Sequence, residues 1–152
     1  MPSVTFQRER VQDLWAELEP LLETHYREIA AFQDIPLAPD KARYEHMEVA
    51  GALRVYVGRR DGQMVAYCVM VVQSNAHYRT SLQAAQDILY VDPDFRRGRI
   101  ALRLIEFVEQ ELRQEGVQVV HQHSKIAHPA LGKLLDHMGY SRSDTIHTKR
   151  LD

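Results

Sequence analysis

A single cysteine, Cys68, excludes a disulfide within the chain, and its place inside an apolar run marks it as a small buried hydrophobe. A reducing compartment is expected. No window approaches the ~20 apolar residues that span a bilayer, and residues 1–10 are polar, without the apolar core of a secretion signal. A cytoplasmic protein with no membrane partner is expected. Neither charge is in excess, since 19 Lys and Arg face 21 Asp and Glu, and no basic stripe alternates with aromatics. Nucleic acid is therefore not an expected partner. Repeats, low-complexity segments and interdomain linkers are also missing. The expectation is one domain over residues 1–152, long enough to bury its own core.

What is present is strongly patterned. After a short strand at residues 4–6, Val11, Leu14, Trp15, Leu18, Leu21, Leu22, Tyr26 and Ile29 recur three or four apart, which predicts an amphipathic helix. Pro20 falls inside it and is expected to kink or split it. Residues 34–39 carry two prolines and read as a loop, after which Asp40 caps a second helix that Gly51 stops. Alternating residues 53–57, the turn Asp61-Gly62 and the apolar run 65–72 predict an antiparallel hairpin, its second strand covered on both faces. A polar loop over 73–81 is expected, then a strand over 84–91 ended by Asp92-Pro93. Ile100, Ala101, Leu104, Ile105, Val108 and Leu112 mark the most regular helix, closed by Gly116. A strand at 117–123, a helix at 129–138 and a last strand at 145–150 complete an α/β (α+β) order: a mixed sheet with helices on both faces.

The segment Phe95-Arg96-Arg97-Gly98-Arg99-Ile100-Ala101 joins a strand to that regular helix. Unpaired amides in a first helical turn, together with the positive end of the helix dipole, suit a diphosphate. Gly98 and Ala101 are small enough for the backbone to approach an anion, and arginines add charge-assisted bonds.

From Leu53 to Leu151 the sequence resembles the GNAT superfamily of N-acetyltransferases, in particular small phage and bacterial members. LYVDPDFRRGRIALRLIEF is similar to the family's Arg/Gln-x-x-Gly-x-Gly/Ala motif after a Val-x-Pro strand end, with Arg96 and Ala101 at its two ends. Arg99 stands where the central glycine belongs, so the cradle requires that Arg99 still present its amide. HPALGKLLDHMGY is similar to a late family segment, with Gly139-Tyr140 at its Gly-Phe ending. His128 takes the place of an Asn, and Leu135 that of the tyrosine which often protonates the leaving thiolate. The resemblance implies a mostly antiparallel sheet with a splayed strand pair that holds acetyl-CoA. It implies cofactor contacts from Leu89, Tyr90, Val91, Arg96, Arg97, Gly98, Arg99, Ile100, Ala101 and His128. It also implies an acceptor that is a primary amine of a small molecule or of a protein lysine or N-terminus, and a homodimer paired through its sheets fits the family.

Amine acetylation needs a base for the amine's proton and a donor for the thiolate or oxyanion. Asp87 interrupts an apolar strand, and a buried carboxylate there would have a raised pKa suited to a base. His123 aligns with a position where some members place a glutamate base, and His121 alternates with it. That pair has no further ligand to complete a metal site. Tyr78, in the 74–80 loop that shapes the acceptor site in the family, is the candidate acid; His25 and Tyr26 are further candidates to line the cleft. A CoA-binding module without catalysis and a nucleotide- or phosphate-binding mimic are the competing readings.

Overall fold

The computed structural model describes residues 3–152. Five strands form one sheet in chain order: β1 (Thr5–Glu9), β2 (Leu53–Arg60), β3 (Gln63–Asn75), β4 (Tyr78–Val91) and β5 (Val119–His121). The first four pair antiparallel, and β5 joins β4 in parallel. Helices α1 (Val11–Ile29) and α2 (Lys41–Val49) cover one face; α3 (Ile100–Gln114) covers the other, and α4 (Ala130–His137) follows β5. This is the expected α/β fold, a mostly antiparallel sheet flanked by helices.

Strands β2 and β3 are apolar at nearly every position because both faces are covered. Val55, Val57, Tyr67 and Val69 pack under α1, whereas Tyr56, Cys68 and Met70 pack against Leu104, Val108 and Leu112 of α3. Burial pushes the Cys68 thiol up to about 12, so it stays protonated. The β2–β3 turn has positive φ at both Asp61 (51°) and Gly62 (80°), the backbone a tight hairpin of right-handed twist requires. Arg54 of β2, buried to 9% exposure, forks onto Glu115 just past α3 (Nη2 to Oε2, 2.8 Å), fixing that helix at its C-terminal end.

Several expectations from sequence shift. The first strand begins at Thr5 and runs to Glu9, its length set by pairing with Val55–Arg59. α1 runs unbroken through Pro20. Pro20 and Ala16 both face solvent, so the carbonyl deprived of its partner can be hydrated, while Leu18, Leu22 and His25 keep the buried stripe in step. The expected 73–81 loop is instead the end of a long ribbon: β3 continues to Asn75, β4 starts at Tyr78, and Asn75 Oδ1 accepts from the His77 amide at 2.8 Å. Its polar composition reflects exposure on both sides. β5 is only Val119–His121, shorter than residues 117–123. Residues 145–150 form no strand; the tail is exposed and ends in a charge cluster, Arg150 Nη1 lying 2.7 Å from Asp34 and its Nε 2.6 Å from Asp152.

Leu104 is fully buried between α3 and the sheet. Leu104→Ala is expected to cost about 2–5 kcal/mol in urea unfolding, whereas Val49→Ala, at a position 86% exposed, is expected to stay within about 0.5 kcal/mol.

Candidate active site

β4 ends at a short 3-10 turn, Pro93–Phe95, which Asp92 caps by accepting from the Asp94 amide at 2.9 Å. The chain then reaches α3 through Arg96, Arg97, Gly98 and Arg99. Among the described residues, the amides of Arg97 through Leu102 donate to no protein acceptor; the first helical bond is Arg103 N–H to Arg99 C=O at 2.9 Å. Arg99 has φ −101° and ψ 17°, a conformation open to any residue, and no side-chain cap competes for the helix end. Its amide is therefore presented without the glycine that the motif usually places there. A Cβ on Gly98 would meet nothing within 4 Å. The side chains of Arg97 and Arg99 are exposed and make no ion pair or hydrogen bond among the described residues. Beside the turn lies a groove of about 400 Å³ lined in part by Arg60, Phe95, Arg97, Gly98 and Arg103. The turn thus presents unpaired amides, the positive end of the α3 dipole and two exposed arginines on one surface.

The sheet opens next to that turn. β4 pairs with β5 only over Gln83, Ala84 and Ala85. On its other side the register with β3 passes from Met70 opposite Gln86 to Val69 opposite Ile88, which leaves Asp87 as the extra residue of a β-bulge. Beyond the bulge, residues 86–91 have no strand on the β5 side among the described residues. A side chain spans the mouth of the gap instead: Gln86, 7% exposed, accepts the His123 amide at Oε1 (3.0 Å). Within the paired stretch, Gln83 Oε1 lies 3.1 Å from His121 Nε2.

On the α1 face of β3 and β4 lies a buried aromatic cluster. Tyr67 and Tyr90 stack at 5.2 Å between ring centroids, His25 lies 5.2 Å from Tyr90, and its Nδ1 is 3.3 Å from the Tyr67 hydroxyl. Burial, the largest influence, lowers the His25 pKa, so the ring is neutral near pH 7. Tyr44 of α2 donates to Asp87 Oδ2 at 2.8 Å. Burial first, then the Asp87 charge and this hydrogen bond, raise the Tyr44 phenol above its ordinary pKa, so it remains a donor.

The expected site residues are thus only partly brought together. Asp87 and His123 flank the opening, but Asp87 is exposed rather than buried, because the bulge turns it outward. His123 lies past the end of β5, and His121 is engaged by Gln83, so the two histidines do not form one strand face. Tyr78 is 63% exposed at the ribbon tip, eight residues from Gln86 and so roughly 25 Å along the strand. That span separates it from the opening at Gln86. Leu89 and Val91 side chains pack on the α3 side and Tyr90 on the α1 side, leaving only their backbone toward the gap. Ile100 and Ala101 pack against the α3-side core. His128 is exposed in the loop after β5, near enough to influence Glu28. Leu135 is 5% exposed, a packing residue. Sequence reasoning missed Gln86 and Tyr44. The adjacent polar pair Gln86-Asp87 within an apolar strand was the available sign of the bulge.

The family description "Acetyltransferase (GNAT) domain" matches residues 51–142, and the chain belongs to that family. Solved structures share the fold. An aminoglycoside acetyltransferase from an uncultured soil metagenomic sample, in complex with trehalose, superposes with TM-score 0.79 at 17% identity, over 97% of this chain and 95% of that one. A ribosomal-protein-alanine N-acetyltransferase from Brucella melitensis biovar Abortus 2308 gives 0.75 at 19%, over 99% and 100%. A predicted acetyltransferase from Clostridium acetobutylicum, solved with acetyl-CoA, gives 0.72 at 10%, over 97% and 96%. A search of curated proteins gives no significant match. Among the described residues no helix is long and apolar enough to cross a membrane.

Gln86→Leu is expected to orphan the His123 amide, lowering stability by about 1–3 kcal/mol and speeding amide exchange at residues 121–124. Unchanged exchange there would show that Gln86 does not hold the opening.

Proposed function

We propose that residues 1–152 act as one acetyltransferase domain that transfers an acetyl group from acetyl-CoA to a primary amine of a small molecule or a protein. The observation that carries this is the run of unpaired amides from Arg97 to Leu102 beside the open edge of β4. Those amides, with Arg97 and Arg99, would hold the diphosphate, and the backbone of residues 86–91 the chain that follows it. Acetyl-CoA supplies the thioester-activated acetyl group. Asp87 is proposed to bind the acceptor's ammonium and take its proton. Donation from Tyr44 aims that carboxylate. His123, on the opposite lip, is the second proton acceptor. Two proteins of similar structure are an aminoglycoside acetyltransferase and a ribosomal-protein-alanine N-acetyltransferase, which keeps both acceptor classes in the proposal.

A CoA-binding module without turnover is the second reading, favoured by Leu135 in the place of the usual tyrosine. Thermal shift with acetyl-CoA, CoA and ATP is expected to show stabilisation by both CoA species alone. Gly98→Ala adds a methyl where the protein has open space, so stability is expected within about 0.5 kcal/mol of the parent while CoA affinity falls. No shift with either CoA species refutes both readings.

Thiol release over a panel of amines and lysine peptides then separates enzyme from silent module. Asp87→Asn and His123→Ala are expected to lower turnover by about 10²–10⁴-fold if each is the dominant base, with acetyl-CoA affinity unchanged. Full turnover in both variants removes the base assignment.

A further inference from the structure

Of the three arginines at the turn, Arg96 is the one whose side chain is committed elsewhere. Its Nη1 lies 2.6 Å from Glu28 Oε1, its Nη2 donates to Glu28 Oε2 at 2.8 Å, and its Nε donates to the Val91 carbonyl at 2.8 Å. The guanidinium also lies 5.7 Å from the centre of the Tyr90 ring. This is a fork-to-fork pair with a third bond back to the strand it follows, an arrangement more specific than a surface ion pair, although the two side chains are 40% and 33% exposed. The Glu28 carboxyl is held below its usual range, first by this hydrogen bond.

Glu28 belongs to the last turn of α1, and that turn anchors the segment beyond it. The Tyr26 hydroxyl, with one proton to donate, lies among the carbonyls of Phe32, Gln33 and Ile35, and Gln33 Nε2 donates to Ala30 C=O at 2.9 Å. Phe32, Ile35 and Leu37 present exposed apolar surface on this segment. A continuous set of contacts therefore leads from the cofactor turn through Arg96 and Glu28 to residues 26–36.

We propose that Arg96 is a positioning residue: it ties the cofactor turn to the end of α1 through Glu28 and leaves the phosphate to Arg97, Arg99 and the turn amides. The assignment of phosphate rests on the cofactor reading above, but the tie itself does not. Its consequence is that the order of residues 26–36 depends on a side chain of the turn, so the α1 side of the opening and the cofactor side are set together.

Residue-resolved amide exchange on the full chain tests this, with CoA titration by calorimetry alongside. Glu28→Gln is expected to speed exchange severalfold both at Ala30 and Ile35 and at Phe95 and Arg96. Arg96→Lys is expected to do the same, because an ammonium cannot make the fork. The exchanged pair Glu28→Arg with Arg96→Glu is expected to restore slow exchange in both segments. CoA affinity in Glu28→Gln is expected to stay close to that of the parent. Unchanged exchange in Glu28→Gln, or acceleration in only one segment, overturns the tie. A loss of about tenfold or more in CoA affinity in Arg96→Lys with exchange unchanged makes Arg96 a phosphate ligand and also overturns it. If the parent binds no CoA, the cofactor reading fails, and the exchange comparison still decides the tie.

Discussion

The arrangement of the site depends on one extra residue in β4. Asp87 has no partner on β3, so β4 bends between Gln86 and Ile88 and its pairing with β5 stops at Ala85. A bulge increases local twist, and a parallel neighbour whose hydrogen bonds are evenly spaced cannot follow it. The strands part where the bulge sits. Gln86 then bridges the mouth with its side chain where backbone bonds end. The same bulge turns Asp87 toward Tyr44, placing a carboxylate at the edge of the opening.

The second constraint is a set of donors left without acceptors. A helix start always leaves amides unpaired, and most proteins satisfy them with a cap or with water. Here Asp92 caps the preceding 3-10 turn, and nothing among the described residues caps α3. Arginine in place of the motif's central glycine does not disturb this, because the Arg99 backbone needs no positive φ. The charge around the turn is divided between two tasks: Arg97 and Arg99 point to solvent, while Arg96 is bound to Glu28.

Periodicity made the framework legible. Apolar spacing located α1 and α3, Asp61-Gly62 located the central hairpin, and Asp92-Pro93 located the end of β4, because each of these is a local consequence of backbone chemistry. Errors fell where the deciding contact is distant in sequence. Residues 73–81 are polar and looked like a loop, but pairing between Ser74 and Leu82 holds them as a ribbon. Residues 145–150 alternate like a strand and find no edge to pair with. Pro20 looked disruptive, and α1 continues because its buried stripe has the sheet to pack against.

The sequence by itself determined the two-layer core, the positions of the main turns and the helix start at Ile100, since period, glycine, proline and capping residues act within a few positions of themselves. Tertiary structure alone decided that Asp87 is exposed on a bulge, that Tyr78 stands far from the opening, and that Arg96 belongs to Glu28, 68 positions away. Those outcomes depend on strand register and on which helix crosses which strand. No local pattern encodes them.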